Sequence, residues 1–170
     1  MSLGDARSRL AAAQAELVRA LMAQGPPPAG FDLNRFRAAA ASLERKRVRA
    51  VRRAWPALDR ALGESFESRF AAYAAVTPLP QQGGPVADGW AFARMLAKQG
   101  ALPEAARIEL LAVELHHVAT AEGLVPRRGP AVRSALLRRP HRLILAVRLP
   151  WWGEYWLTLP LRRRAFYWPE

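Results

Sequence analysis

The chain has 170 residues, of which 51% are hydrophobic, and this composition is that of one folded domain, with or without a small appendage. It excludes an intrinsically disordered protein, and the absence of cysteine excludes disulfides, thiol catalysis, iron–sulfur clusters and cysteine-bound zinc. Lysine and arginine together number 26 against 14 acidic residues, so the formal net charge is +12 and would attract nucleic acids or acidic peptides.

Helical periodicity and capping residues predict six helices in the first three-quarters of the chain. Asp32 and Asp88 are interpreted as N-caps of the second and fifth helices, and Pro56 and Pro103 as residues that open the third and sixth. The six helices are expected over residues 5–24, 33–55, 56–63, 64–76, 89–99 and 103–121.

After Pro126 the pattern changes to apolar residues that alternate with a period of two. Two alternating stretches, 143–149 and 155–161, flank a turn at residues 150–153 and predict an antiparallel β-hairpin, to which residues 165–168 would add an optional third strand. The predicted fold class is therefore mainly α: a multi-helix bundle over residues 1–126, followed by a basic, Trp-rich β tail over residues 127–170 that packs on or beside it.

Neither of the two most apolar stretches has the character of a targeting or membrane segment. Glu16 and Arg19 interrupt the apolar part of the first predicted helix, so no signal peptide is expected. Arg148 and Pro150 interrupt the stretch at 143–161, so no membrane span is expected there. A cytoplasmic location is the expectation that follows.

A run of basic residues follows one side of the predicted second helix. At about 100° per residue, the apolar side chains of this helix gather on one face and the basic ones on the opposite face and its flank. We call this set the basic ridge, and it is a candidate for binding nucleic-acid phosphates, with a solvated helix face as the alternative. No helix–turn–helix, RNA-binding or zinc-finger signature accompanies it. The basic ridge consists of Arg45, Lys46, Arg49, Arg52 and Arg53.

Arg47 differs from the basic ridge because it falls within the apolar stripe of the same helix. Glu44 lies in this stripe too, three residues earlier. The spacing predicts a partly buried Glu44–Arg47 ion pair, with an Arg47 side chain that reaches out to solvent as the alternative.

Aromatic residues are concentrated near the C-terminus, where the last 20 residues hold seven of the 15 aromatic residues. Trp151 and Trp152 are adjacent, so an extended backbone would direct them to opposite sides and one core could not easily bury both. Exposed Trp and Arg are typical anchors of protein interfaces. Base stacking, a free strand edge that accepts a peptide, and a small hydrophobic core are the alternatives. The candidate partner-binding residues are Trp151, Trp152, Tyr155, Trp156, Arg162, Arg163 and Arg164.

The sequence offers little support for catalysis. Glu114 and His117 have the Glu-x-x-His spacing of di-iron bundles, but such a bundle needs two of these motifs and two more glutamates on facing helices. No nucleophile elbow and no glycine-rich phosphate loop is present. We therefore expect no catalytic residue, no metal and no cofactor, and predict that the protein is not an enzyme.

Several helical segments, taken in order, resemble a known bacterial family. The most specific part is an aromatic–proline pair, Trp55-Pro56, followed by the Leu-Gly-x-x-Phe motif at residues 62–66. The other segments are Leu10–Leu17, Arg69–Tyr73, Pro78–Pro80 and Leu102–Glu109. Together they resemble a family of helical domains labelled DNA-binding, which includes the N-terminal domain of MbnC-like and HvfC-like partner proteins.

The resemblance implies a function that neither composition nor spacing reveals. Proteins of that family pair with a TIM-barrel multinuclear iron oxygenase and help present a ribosomally made peptide. The function predicted for this chain is therefore that of a non-catalytic, protein-binding accessory module of an iron-dependent, peptide-modifying oxygenase. The alternative is a DNA-binding protein that uses the basic ridge, and the oligomeric state is not predicted.

Overall fold

Six helices and five strands make up the regular structure of the described residues. A computed structural model describes residues 3–22, 32–138 and 141–161. The helices are α1 Leu3–Met22, α2 Leu33–Ala54, α3 Pro56–Leu62, α4 Ser65–Val76, α5 Gly84–Lys98 and α6 Glu104–His116. The strands are β1 His117–Thr120, β2 Gly123–Pro126, β3 Ala131–Arg138, β4 His141–Leu149 and β5 Gly153–Pro160.

The fold mixes α-helix and β-sheet, so the expectation of a mainly α bundle with one short hairpin or sheet is wrong. The described residues form two antiparallel sheets, one of β1 and β2 and one in the order β3–β4–β5. Helix α6 ends at His116, earlier than predicted, because the residues after it pair as a hairpin with His117 opposite Pro126. Gly123, with a φ of 139°, allows the Gln82 carbonyl to approach this hairpin, because a Cβ atom there would lie within 2.1 Å of the Gln82 carbonyl oxygen.

The three-stranded sheet contains the predicted hairpin, but its third strand is a different segment. β3 pairs with β4 from Ala131 opposite Arg148 to Arg138 opposite His141, and β5 pairs with the other side of β4. Residues 165–168, the expected third strand, lie outside the described residues.

The core of the helical part surrounds Trp55. Trp55 is fully buried and its Nε1 donates a hydrogen bond to the Val86 carbonyl at 3.1 Å. Gly89 of α5 lies against the indole, where a Cβ atom would come within 2.2 Å of the ring. The aromatic rings of α4 and α5 pack beside it with centroids 5.2 to 5.8 Å apart, and these are Phe66, Phe70, Tyr73 and Phe92.

Helix α6 links the helical core to the larger sheet. It packs against α3 and α5 and also against β3 and β4. Its Glu109 accepts hydrogen bonds from the backbone N–H groups of Ala57 and Leu58, at 3.0 and 2.8 Å, and so caps the first turn of α3. The division into residues 1–126 and 127–170 remains a prediction. Within the described ranges, no helix combines the length and the apolar character needed to cross a membrane.

Candidate functional site

The two faces of the β3–β4–β5 sheet differ in chemistry, and we call the one packed against α6 the inner face. Leu111 and Leu115 of α6 contact the sheet there, on Ala131, Ile144 and Ala146. The two alanines are small, which lets the helix approach the sheet closely. The inner face therefore forms a small hydrophobic core with α6.

The opposite side, which we call the outer face, is the more apolar of the two and is exposed. Val132 and Leu157 have 55% and 53% of their surface accessible, on β3 and β5. Antiparallel sheets usually direct their apolar side to the core and their polar side to water, whereas this sheet carries apolar residues on both sides. The strand registers place on it Val132, Ser134, Leu136, Arg138, His141, Leu143, Leu145, Val147, Leu149, Gly153, Tyr155, Leu157 and Leu159.

The turn between β4 and β5, at one end of the sheet, carries two indole rings. Trp151 is 93% exposed and Trp152 is 76% exposed. The turn is hydrogen-bonded, because Trp152 N donates to the Leu149 carbonyl at 3.1 Å and the Tyr155 hydroxyl donates to the Trp152 carbonyl at 3.0 Å. The indoles are thus held on a structured turn while their surfaces remain open to a partner.

The structure separates the predicted partner-binding residues instead of bringing them all together. Tyr155 is on the outer face, and Trp151 and Trp152 are in the adjoining turn. Trp156 lies on the inner face of β5 and remains partly exposed. Arg162–Arg164 lie outside the described residues.

Sequence reasoning missed that the leucines and valines of the outer face are themselves an exposed surface. A signal was present in β4, where residues 143–147 form an uninterrupted apolar run. Such runs are typical of strands that are covered on both faces, whereas the described residues cover only one face of this strand with a helix.

The basic ridge of α2 is exposed along its whole length, and its five side chains follow the solvent side of the helix. Arg52 forms an ion pair with Asp59, with Nε and Oδ1 2.8 Å apart. In the described part of the chain the other members of the ridge form no ion pair. They therefore present free positive charge.

Arg47 does not pair with Glu44 as predicted but with Asp88 of α5. Its Nε donates to Asp88 Oδ2 at 2.7 Å, and its Nη2 donates to Asp88 Oδ1 at 2.8 Å and to the Thr77 carbonyl at 3.1 Å. Asp88 is consequently a fully buried partner and not the N-cap of α5, which begins at Gly84. The sequence spacing could not reveal this pair because its members are 41 positions apart in the chain.

Tyr73 completes this buried polar cluster, since its hydroxyl donates to Asp88 Oδ1 at 3.1 Å. Burial and the negative charge of Asp88 raise the pKa of Tyr73 well above its ordinary value. Burial opposes the charge of Arg47, but the hydrogen bonds and the charge of Asp88 outweigh it, so the pKa of Arg47 is also raised. The cluster therefore consists of a charged pair and a neutral phenol.

A cleft of about 290 Å³ opens beside the Arg47–Asp88 pair, between α2, the end of α4 and the start of α5. Its walls are mostly apolar side chains, such as Leu43 and Leu79. The charged lining consists of two acidic and two basic residues, with Glu44 and Lys46 beside the buried pair. The cleft thus has no net charge with which to select an anion or a cation.

The Glu-x-x-His residues of α6 take part in ordinary contacts within the protein. Glu114 Oε1 accepts a hydrogen bond from Trp90 Nε1 at 3.1 Å and lies 3.4 Å from Arg94 Nη1. His117 Nδ1 lies 3.0 Å from the Val113 carbonyl oxygen. Within residues 3–22, 32–138 and 141–161, no three His, Asp or Glu side chains are close enough to hold a metal ion.

The fold and these surfaces define the chain as a small mixed α/β domain with a large exposed apolar sheet face. It belongs to the family of SCO6045-like C-terminal domains, whose family model matches residues 11–98. A UPF0276 protein of Streptomyces avermitilis is 37% identical to it over 141 residues. The aligned part is 82% of this chain and 28% of that protein, so the chain spans little more than a quarter of this relative. No solved structure matches the chain.

Proposed function

We propose that the chain is a cytoplasmic, non-catalytic accessory module that binds a partner protein. The observation that carries the proposal is the architecture of the Streptomyces relative, in which the matched segment accompanies a much longer remainder. Joining two domains in one chain raises their effective concentration, which favours domains that contact each other. The exposed Trp151 and Trp152 support the same conclusion, because Trp is a frequent interface anchor.

The proposed partner is a protein of the UPF0276 class, either as a separate chain or as a domain of the same polypeptide. The resemblance of the helical segments to oxygenase partner proteins suggests which kind of enzyme the partner is. It implies that the partner is a TIM-barrel multinuclear iron enzyme that modifies a ribosomally made peptide, with this chain as its accessory subunit. Iron bound to the purified UPF0276 protein would support this part of the proposal, and a metal-free active enzyme would contradict it.

The proposal is tested by calorimetric titration of the chain with a purified UPF0276 protein from the same organism. We expect saturable binding, and we expect Trp152→Ala to weaken it about tenfold or more, as the loss of an aromatic anchor does. Val76→Ala on α4 is the matched control, because Val76 is also largely exposed but lies on a helix. The absence of wild-type binding would contradict the proposal, and equal affinities for wild type and Trp152→Ala would remove the anchor role.

A second candidate function is binding of nucleic acid through the basic ridge. The free positive charge of Arg45, Lys46, Arg49 and Arg53 on one helix surface favours it. Four phosphate contacts would make the binding constant fall about 100-fold when salt rises fourfold. Fluorescence anisotropy of a random DNA duplex at low and moderate salt measures this slope. Arg49→Ala should reduce the slope, whereas Arg60→Ala on α3 should not, and a shallow slope would contradict the role.

A further inference from the structure

The outer face of the β3–β4–β5 sheet has a composition that a solvent-facing surface rarely shows. Its centre is the apolar run of β4, and the two flanking strands carry exposed apolar side chains such as Leu136 and Leu159. From the usual strand spacing and rise, a face of three strands with eight residues each measures about 14 by 26 Å, or roughly 350 Å². The largest apolar patch of a typical soluble monomer is about 300–600 Å², and such patches are often functional.

We propose that the outer face, together with the Trp151–Trp152 turn, is the docking surface for the partner protein, and that the partner presents an apolar surface bordered by acidic side chains. This inference rests on the proposed function, because it concerns the same partner. It adds which side of the molecule makes the contact and what chemistry the partner must offer.

The charge around the outer face supports the proposal that acidic side chains border the partner's surface. The outer face has no acidic residue, and Arg138 and His141 stand at the end of it that is opposite the tryptophan turn. Glu154 is the acidic residue of β5, but it is on the inner face and contacts His116, with Oε1 and Nε2 2.6 Å apart. Acidic side chains on the partner would therefore complement the border and steer the encounter.

A second copy of this chain is a poor occupant of the outer face for two reasons. The outer face carries Arg138 and no acidic residue, so a second copy would offer this arginine no acidic partner. Two sheets of this size packed face to face would bury about 700 Å² in total, which is less than the 1,200 Å² or more of a stable interface. A larger partner that also covers the tryptophan turn would bury more area than the sheet face alone.

The test compares two glutamate substitutions at successive positions of β5. Leu157→Glu places a charge on the outer face, and Thr158→Glu places the same charge on the opposite side of the same strand. Both positions are exposed in the free chain, so the fold should tolerate both, as circular dichroism can verify. In calorimetric titrations with the purified UPF0276 protein, Leu157→Glu should weaken binding at least tenfold, and Thr158→Glu should change it less than threefold.

Further variants test the remaining parts of the proposal. Arg138→Glu should slow association several-fold at low salt, because the border charge would then repel an acidic partner. Val132→Glu repeats the face test on β3 if Leu157→Glu fails to fold. If a folded face variant, Leu157→Glu or Val132→Glu, binds the partner as tightly as wild type does, the outer face is not the docking surface, and the proposed function still stands. If the wild-type chain does not bind the partner, both the docking surface and the proposed function are contradicted.

Two outcomes would assign the outer face to another occupant and overturn the proposal. The first is self-association of the wild-type chain in sedimentation velocity that Leu157→Glu abolishes, which would identify a second copy. The second is binding to phosphatidylserine vesicles that Leu157→Glu abolishes, which would identify a lipid surface. We expect neither.

Discussion

Arg47 of α2 and Asp88 of α5 form a two-pronged ion pair within the helical part, with nitrogen–oxygen distances of 2.7 and 2.8 Å. The same guanidinium donates to the Thr77 carbonyl that follows α4, so one side chain joins three helices. The hydroxyl of Tyr73 satisfies the carboxylate from a third direction. A buried ion pair with this many hydrogen bonds fixes the relative positions of the helices. If one helix moved, a buried donor or acceptor would lose its hydrogen-bond partner.

Asp88→Asn should lower the free energy of unfolding by about 3 kcal/mol, because it leaves the Arg47 charge in the interior without a counter-charge. Urea denaturation followed by circular dichroism measures the change. Asp59→Asn is the matched control, since it breaks the Arg52–Asp59 pair of the same length near the surface. That control should cost less than about 1 kcal/mol, and equal losses would contradict the role of burial.

Tyr73 should make stability fall at alkaline pH. The ordinary pKa of tyrosine is 10.0, and the pKa of Tyr73 is raised in the folded chain. Above about pH 10 the unfolded chain therefore loses a proton that the folded chain retains, and the free energy of unfolding decreases as pH rises. Tyr73→Phe should be less stable at pH 8 but should lose less stability between pH 9 and 11. If the free energy of unfolding fell equally with pH in the two proteins, Tyr73 would not be the group responsible.

Gly89→Ala should destabilise the chain by about 2 kcal/mol, although alanine favours helices more than glycine does. The added Cβ would come within 2.2 Å of the Trp55 indole, so α5 or the indole must move. Thermal unfolding measures the effect. Gly129→Ala has open space around the new atom and should stay within about 0.5 kcal/mol of wild type. A Gly89→Ala variant as stable as wild type would show that the indole has room to shift.

Ala146→Leu tests the close packing of α6 on the inner face. Ala146 is fully buried between the sheet and the helix, so a larger side chain should cost about 2 kcal/mol by overpacking. Ala119→Leu on the exposed strand β1 is the control and should have little effect. Denaturant titration of the two variants compares them, and similar stabilities would mean that α6 does not pack tightly here.

Elements with local signals were predictable from the sequence. Asp32 caps α2 as expected, since its Oδ1 accepts hydrogen bonds from Asn34 N and Arg35 N, at 2.8 and 3.1 Å. Pro56 lies in the first turn of α3, and the turn between β4 and β5 falls where the Pro150–Gly153 stretch indicated. Each of these features depends on residues within a few positions of one another.

Features that depend on distant partners were not predictable in the same way. Strand β3 alternates weakly by itself and is stabilised by pairing with β4. The apolar residues of β4 and β5 identified two strands, but they could not show which side of the sheet α6 would cover. The helix packs on the side of Ala131 and Ala146, where small residues permit close approach. The leucines of the outer face are exposed because α6 covers the other side of the sheet, and their own sequence pattern does not predict this.

The cap of α3 has a consequence for the order of folding. Ala57 and Leu58 find their hydrogen-bond acceptor in Glu109, which is about fifty positions later in the chain. A seven-residue helix is marginal by itself, so the first turn of α3 should become protected from hydrogen exchange only after α6 has docked. Helix α3 would then form late in folding, and the protection of its first turn from hydrogen exchange would report whether α6 has docked.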